Sequence, residues 1–165
     1  MKLLKWLLVV LGLTVIAVLA LLTASNVQAQ EALVGSWVLD PAKNQGQPGM
    51  VPTAGTATVA SAGGGQYKSI SEVSIGGATG RSEITYSIDG KDYAVTTSAA
   101  PPDAAITQSM ERVSDTVWSS NLKVNGQLMA TVKTEVSSDG KTLTQTTTGV
   151  GQFAALSSTI VFNRK

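Results

Sequence analysis

Hydrophobic and polar residues alternate with a period of two along most of the chain after residue 30. No stretch in this part keeps a 3.6-residue apolar period over three turns, so the pattern predicts strands rather than helices. Asp89-Gly90 and Asn125-Gly126 are strong hairpin signals, because both dipeptides favour the two-residue turn that joins antiparallel strands. The predicted strands are Leu33–Leu39, Thr56–Ala60, Gln66–Ile75, Arg81–Ile88, Lys91–Thr97, Ala104–Arg112, Thr116–Val124, Gln127–Val136, Lys141–Thr148 and Leu156–Asn163.

About ten strands at a spacing of roughly 8–12 residues are typical of a sandwich or a barrel. Consecutive hairpins with short loops favour an up-and-down meander over a Greek key. The segment Pro41–Gly55 interrupts the pattern, because its prolines and glycines disfavour both a helix and a central strand. We therefore predict one all-β domain over residues 30–165, a single antiparallel up-and-down β-barrel of about ten strands.

The positions of charged residues indicate which face of a predicted strand is the outer one. In Gln127–Val136, Lys133 and Glu135 share one face, so Thr134 belongs to the opposite, inner face. The inner set is wide but poor in aromatic residues, and a ten-stranded barrel filled by such side chains can retain a cavity. The candidate ligand-binding residues of the barrel interior are Tyr86, Met110, Trp118, Thr134, Ile160 and Phe162.

The first 29 residues have the organisation of an export signal. Lys2 and Lys5 precede seventeen uncharged residues, Trp6–Leu22, and Val27-Gln28-Ala29 offers small or modest side chains before a cleavage site. The predicted mature chain begins at Gln30, in the periplasm or outside the cell. The apolar run exceeds the usual signal core of about 7–15 residues, so an uncleaved membrane anchor is the alternative.

Composition narrows the range of functions. Without Lys2 and Lys5, ten basic residues stand against eleven acidic ones, which argues against nucleic acid or an anionic membrane as partner. We expect no membrane insertion of the mature domain, and the oligomeric state stays open. Cys and His are absent, which excludes a disulfide framework, a Ser–His or Cys–His catalytic pair, and His-ligated zinc or haem. We expect no cofactor, no metal site and no catalytic residue.

Other patterns have ordinary structural explanations. The segment Gly76–Ser82 resembles a phosphate loop, but it lacks the Lys and precedes a strand, so a hairpin tip is favoured. Trp37 and Trp118 are better explained by core packing than by stacking on a ligand. The hydroxyls of Thr142, Thr144, Thr146 and Thr148 share one strand face, which is typical of a solvated sheet surface.

Three segments carry a resemblance to a known family. They are Gly35-Ser36-Trp37, Asp89–Tyr93 (Asp-Gly-Lys-Asp-Tyr) and Ser137–Leu143 (Ser-Ser-Asp-Gly-Lys-Thr-Leu), and the chain ends in a related strand, Ser158–Lys165. The Gly-x-Trp start resembles that of the calycins, which include the lipocalins and the fatty-acid-binding proteins. The whole mature chain is similar to uncharacterised secreted bacterial lipocalin-like proteins. The resemblance implies a closed meander barrel that binds a ligand.

The chain departs from the fatty-acid-binding pattern where that family holds a carboxylate. The resemblance implies an inward Arg on a late strand and an Arg-x-Tyr pair on the last strand. Thr134 stands at the first position, and Ile160 and Phe162 stand at the pair. The cations for a carboxylate are therefore missing, and the irregular segment Pro41–Gly55 replaces the helical lid.

Three functions remain open. The first is a non-enzymatic barrel that binds a small, neutral, apolar molecule. The second is a structural or interaction barrel with a filled core that acts through loops such as Pro41–Gly55 and Gly76–Gly80. The third is an enzyme, which would need an inward carboxylate near Tyr86 or Met110, and the alternation offers none.

Overall fold

The computed structural model describes residues 32–165. The predicted export signal and the cleavage before Gln30 lie outside these residues. Two 3₁₀ turns, Pro41–Lys43 and Gly151–Leu156, accompany eleven strands in the described part. The strands are β1 Gly35–Leu39, β2 Gln45–Gly46, β3 Ala54–Gly63, β4 Gln66–Ile75, β5 Ala78–Ser87, β6 Tyr93–Thr97, β7 Ile106–Arg112, β8 Val117–Val124, β9 Gln127–Val136, β10 Thr142–Gly149 and β11 Ser158–Arg164.

The strands form one antiparallel sheet that closes on itself. Strands β3 to β11 pair in chain order, and β1 pairs with both β3 and β11. The two-residue strand β2 pairs with the first two residues of β11 and does not take part in closing the barrel. The prediction of an all-β, up-and-down barrel is thus confirmed, with ten strands in the closed ring.

Local turn chemistry placed most strand ends to within two residues. Gln66–Ile75 and Gln127–Val136 match the prediction at both ends. Strand β5 begins earlier than predicted, at Ala78, because Gly76 and Gly77 with φ of 58° and 86° make a turn of only two residues. The expected loop Gly76–Gly80 is therefore mostly strand.

The predicted last strand, Leu156–Asn163, is wrong at its start. Leu156 ends the 3₁₀ turn, and β11 begins at Ser158. The turn is held by the backbone N–H of Ser157, which donates to the carbonyl of Ala154, and by the Ser157 hydroxyl, which accepts from the N–H of Gly149. A Cβ on Gly149 would overlap the carbonyl oxygen of Phe153, so glycine permits this close approach.

The first strand starts at Gly35 rather than at the predicted Leu33, because Ala32 and Leu33 are helical. Gly35 has a φ of 154°, and a Cβ there would meet the guanidinium of Arg164. That guanidinium lies over the ring of Trp37, with Cζ 4.2 Å from the ring centroid. The Gly-x-Trp sequence thus has a physical reason: glycine leaves space for the arginine, and tryptophan offers the ring face.

The packed core lies at one end of the barrel, which we call the floor. Leu33 covers this end, and the indole N–H of Trp37 donates to the carbonyl of Leu33 over 3.2 Å. The other buried residues of the cluster are Leu39, Val59, Tyr67, Tyr86, Met110, Trp118, Val136, Leu143 and Phe162. Burial of these apolar side chains is the main contribution to the stability of the fold. The chain contains no Cys, so no disulfide adds to it.

Candidate functional site

A cavity of about 480 Å³ lies inside the barrel between the floor and the opposite end, which we call the mouth. Its volume falls within the range of small-molecule pockets, about 300–1,000 Å³. Apolar side chains from almost every strand form most of its wall, including Val59, Val73, Ile84, Val95, Ile106, Leu122 and Val132. The filled interior of the second hypothesis is therefore contradicted.

The structure brings five of the six sequence-predicted residues to the wall of this cavity. They are Tyr86, Met110, Thr134, Ile160 and Phe162. They come from four strands, β5, β7, β9 and β11, and their inward direction follows from the alternation along each strand. Contact of these residues with a ligand stays a prediction.

Trp118 is the exception. It is 0% exposed and packs in the floor cluster rather than lining the cavity. Its strand points it inward as predicted, next to Thr134 in the register of β8 and β9. The large indole nevertheless fills the barrel at this level, and Leu122, four residues along the same strand, is the β8 residue that lines the cavity.

Two buried polar atoms of β8 have no hydrogen-bond partner among the described residues. They are the indole Nε1 of Trp118 and the hydroxyl of Ser120. Both lie on the inner face of the strand, and Ser120 pairs with Met110 and Val132.

The cavity wall carries no charge. None of its lining residues in the described part is an Asp, Glu, Lys or Arg, and Tyr86 is the titratable group among them. Burial raises the pKa of Tyr86 above its usual value, and the neighbouring Tyr67 ring, 6.0 Å away between centroids, adds to the effect. The wall is therefore neutral over the whole physiological pH range.

The polar groups of the wall are hydroxyls and amides. Ser71, Ser82 and Thr97 form one row across β4, β5 and β6, and the Ser82 hydroxyl donates to the Thr97 hydroxyl over 2.9 Å. Thr134 and Gln145 are cross-strand partners on β9 and β10. In the closed ring of ten strands, the hydroxyl row on β4–β6 and the Thr134–Gln145 pair on β9 and β10 lie on opposite walls of the barrel.

Gln145 and Gln108 line the cavity but were not identified from the sequence. The inward position of Gln145 could have been inferred from the alternating threonines of β10. Thr142, Thr144, Thr146 and Thr148 are not part of the cavity wall and lie on the outer face. The alternating positions, which include Leu143 and Gln145, must then point inward. Gln108 lies two residues before Met110 on β7, so the same alternation places both side chains on the inner face.

The segment that follows β1 covers part of the mouth. Met50, 43% exposed, and the buried Pro52 both line the cavity from residues 47–53. The Asn44 side chain anchors this segment: its amide donates to the carbonyl of Pro52 over 3.1 Å and accepts from the N–H of Val161 over 2.9 Å. The predicted replacement of a helical lid by an irregular loop agrees with this arrangement in residues 47–53. The predicted loop Pro41–Gly55 also contains the short turn Pro41–Lys43, the two-residue strand β2 and the first two residues of β3.

Charge is distributed unequally between the two ends of the barrel. The segments at the mouth hold one charged residue, Asp103; they are 47–53, 76–77, 98–105, 125–126 and 150–157. Residues 40–44, which lead from β1 to the first of these segments, add the ion pair of Asp40 and Lys43. The connecting segments at the floor, 88–92, 113–116 and 137–141, hold Asp89, Lys91, Asp92, Asp115, Asp139 and Lys141. A mouth with so few charges imposes little desolvation cost on an apolar molecule that enters.

No helix within residues 32–165 has both the length and the hydropathy of a membrane span. The same residues contain no group of three or more carboxylate, His or Cys side chains placed to hold a metal ion.

A comparison with solved structures finds a fatty-acid-binding protein fold. The crystal structure of Echinococcus granulosus fatty-acid-binding protein 1 matches with a TM-score of 0.56 and 16% sequence identity. The match covers 82% of this chain and 98% of that protein. No protein-family model matches the sequence. A search of curated proteins also finds no match. The likeness is therefore one of fold.

Proposed function

We propose that this protein is an exported, non-enzymatic barrel that binds a small, neutral, apolar molecule. The observation that carries the proposal is the cavity of about 480 Å³, whose wall within residues 32–165 is mostly apolar and holds no charged side chain. Burial of a ligand's hydrocarbon surface contributes roughly 25 cal/mol per Å², which is enough for binding without ion pairs.

The chemistry of the wall favours a neutral ligand over a free fatty acid. The solved relative in fold is named a fatty-acid-binding protein, and the sequence resemblance implies arginines for a carboxylate. In this chain Thr134, Ile160 and Phe162 occupy the corresponding positions, and all three line the cavity. A carboxylate buried there would lose its hydration without gaining a cation, at a cost of several kcal/mol.

Binding is tested by titrating the purified protein with the neutral fluorophore diphenylhexatriene, and by native mass spectrometry after incubation with a lipid extract. We expect saturable binding of one fluorophore and a bound neutral lipid. Ala57→Phe places a ring in the cavity and should weaken binding at least tenfold. Ala60→Phe, the same change on the exposed side of β3, should not. Absence of binding to the wild type would refute the proposal.

Export is the second part of the proposal, and it is supported by Lys2, Lys5, the apolar run Trp6–Leu22 and the sequence Val27-Gln28-Ala29. Fractionation of the host should find the protein shortened to Gln30 and free of the cell membrane. Ala29→Trp should block cleavage and leave the full-length chain in the membrane. A wild-type chain that is already full length in the membrane would show an anchor instead.

A further inference from the structure

Gln145 and Thr134 form a pair of neutral hydrogen-bonding groups on the cavity wall. They are direct cross-strand partners, and Ile160 is the partner of Gln145 on its other side. Directly paired residues point to the same face of a sheet, with their Cβ atoms about 4.5–5.5 Å apart. All three residues line the cavity, so the amide and the hydroxyl lie side by side with an aliphatic neighbour.

Both side chains lack a hydrogen-bond partner among residues 32–165. This distinguishes them from the facing hydroxyl row, where Ser82 donates to Thr97 and Thr97 in turn accepts from the N–H of Ala99 over 3.1 Å. Two of the three hydroxyls in the facing row, those of Ser82 and Thr97, are thus engaged with other residues of the protein. The Thr134 hydroxyl and the Gln145 amide are left to be satisfied by water or by a ligand.

On the basis of the proposed function, we propose that the ligand is a neutral amphiphile whose hydroxyl, carbonyl or amide group binds to Gln145 and Thr134. The Gln145 amide provides two donor hydrogens and an acceptor oxygen, and the Thr134 hydroxyl provides one donor and an acceptor. The pair therefore accommodates a long-chain alcohol, ester or primary amide. A plain hydrocarbon would leave both groups unpaired.

The position of the pair sets how the ligand lies. Toward the floor, Leu143 and Phe162 are cross-strand partners and both line the cavity. Toward the mouth, Thr147 and Ser158 are partners and also line it. The wall of β10 and β11 thus changes from apolar at the floor to hydroxyl-bearing at the mouth. Because Trp118, the β8 partner of Thr134, fills the barrel at this level, the polar group lies at the inner end of the cavity. The hydrocarbon tail extends from it toward the mouth, along cavity-lining side chains such as Val132 and Ile106.

Gln108 is the other cavity amide, and its setting differs. Its cross-strand partners are Tyr93 and Leu122, so no hydroxyl of a directly paired threonine or serine stands beside it. A single amide holds a ligand carbonyl or hydroxyl at one point, whereas Gln145 and Thr134 can hold it at two. Substitution by Leu should therefore affect the preference for a polar end group differently at Gln108 and at Gln145.

The test is displacement of diphenylhexatriene from the purified protein by ligands of one chain length that differ only in the end group. The series consists of the alkane, the primary alcohol, the methyl ester, the primary amide and the carboxylate at pH about 8. We expect the alcohol, ester and amide to bind roughly tenfold more tightly than the alkane, the factor that one additional well-made hydrogen bond supplies. The carboxylate should bind most weakly of the polar ligands.

Gln145→Leu should lose the tenfold preference, so that the alkane and the alcohol compete about equally well for the variant. Thr134→Val should reduce the preference partly, which provides a second variant in case one fails to fold. Gln66→Leu, the same change on an exposed residue, should behave as wild type. Circular dichroism confirms the fold of each variant.

The outcomes separate the two proposals. If neither diphenylhexatriene nor any ligand binds, the proposed function itself fails. If diphenylhexatriene binds but the alkane competes as well as the alcohol, or the carboxylate competes best, only the assignment to a neutral amphiphile fails. Loss of the preference in Gln108→Leu, but not in Gln145→Leu, would overturn the placement of the polar group.

Discussion

The guanidinium of Arg164 lies over the indole of Trp37, 4.2 Å from the ring centroid. The same group donates to the carbonyls of Ala32, Val34 and Gly140 over 2.7, 2.8 and 2.6 Å. One side chain near the end of the chain thus ties the segment before β1 and the β9–β10 turn to the last strand. This arrangement holds Leu33 over the floor of the barrel, so that the cavity opens toward the mouth.

Arg164→Ala should lower the free energy of unfolding by about 2 kcal/mol, because it removes the stacking on Trp37 and three hydrogen bonds of a partly solvated cation. Denaturant titration followed by tryptophan fluorescence measures the change. Lys165→Ala removes the neighbouring charge, whose side chain makes no ion pair within residues 32–165, and should stay within about 0.5 kcal/mol of wild type. Equal stability of the two variants would contradict this role of Arg164.

Stability should fall in acid through two turn aspartates. The pKa of Asp89 is lowered by hydrogen bonds from the Lys91 N–H and the Tyr93 hydroxyl. The pKa of Asp139 is lowered by hydrogen bonds from the Ser137 hydroxyl and the Lys141 N–H. A carboxyl with a lowered folded-state pKa stabilises the protein above its unfolded pKa, about 3.9. That contribution is lost as the pH falls through the folded-state value.

The measurement is the urea midpoint between pH about 6 and pH about 2.5. We expect a decrease that begins near pH 4, and a smaller decrease for the double variant Asp89→Asn, Asp139→Asn. Ion pairs at Asp40–Lys43 and Glu83–Lys68 lower the pKa of those two carboxyls as well, so some acid dependence should remain. A midpoint that does not change with pH would contradict the expectation.

Ligand affinity, in contrast, should not depend on pH between about 5 and 9. The titratable group on the described cavity wall is Tyr86, and burial raises its pKa, so its hydroxyl stays protonated throughout this range. Dissociation constants for a neutral alcohol at several pH values, in buffers of matched ionic strength, give the test. A titration with a midpoint inside the range would reveal a charged group in contact with the ligand.

Asn44→Ala should accelerate ligand exchange. The substitution removes the hydrogen bonds to Pro52 and Val161 that hold residues 47–53 across the mouth, while Met50 and Pro52 keep their side chains. We expect the dissociation rate, measured by stopped-flow displacement, to rise severalfold with a smaller change in affinity. Gln47→Ala lies in the exposed part of the same segment and serves as the control. An unchanged rate would mean that this segment does not limit exit.

The sequence predicted the hairpins and the inner faces because both depend on local chemistry. Asn125-Gly126 forms the expected two-residue turn between β8 and β9, whereas the longer segment 88–92 around Asp89-Gly90 joins β5 and β6. A charge at Lys133 or Glu135 identifies the outer face of β9 without further information. The same reasoning failed at Leu156. Its apolar side chain suited a strand, but the contact of Gly149 with Phe153 bends the chain into a 3₁₀ turn.

By itself, the sequence determined an all-β chain of about ten strands with an uncharged inner surface, since alternation and turn residues act over a few positions. Only the tertiary structure decided that the barrel keeps a cavity, that Trp118 belongs to the floor, and that Gln145 stands beside Thr134. The physical reason is that these features depend on register and on how ten strands close into a ring. Both are set by pairings between distant parts of the chain, such as Trp37 with Arg164 in the register of β1 and β11.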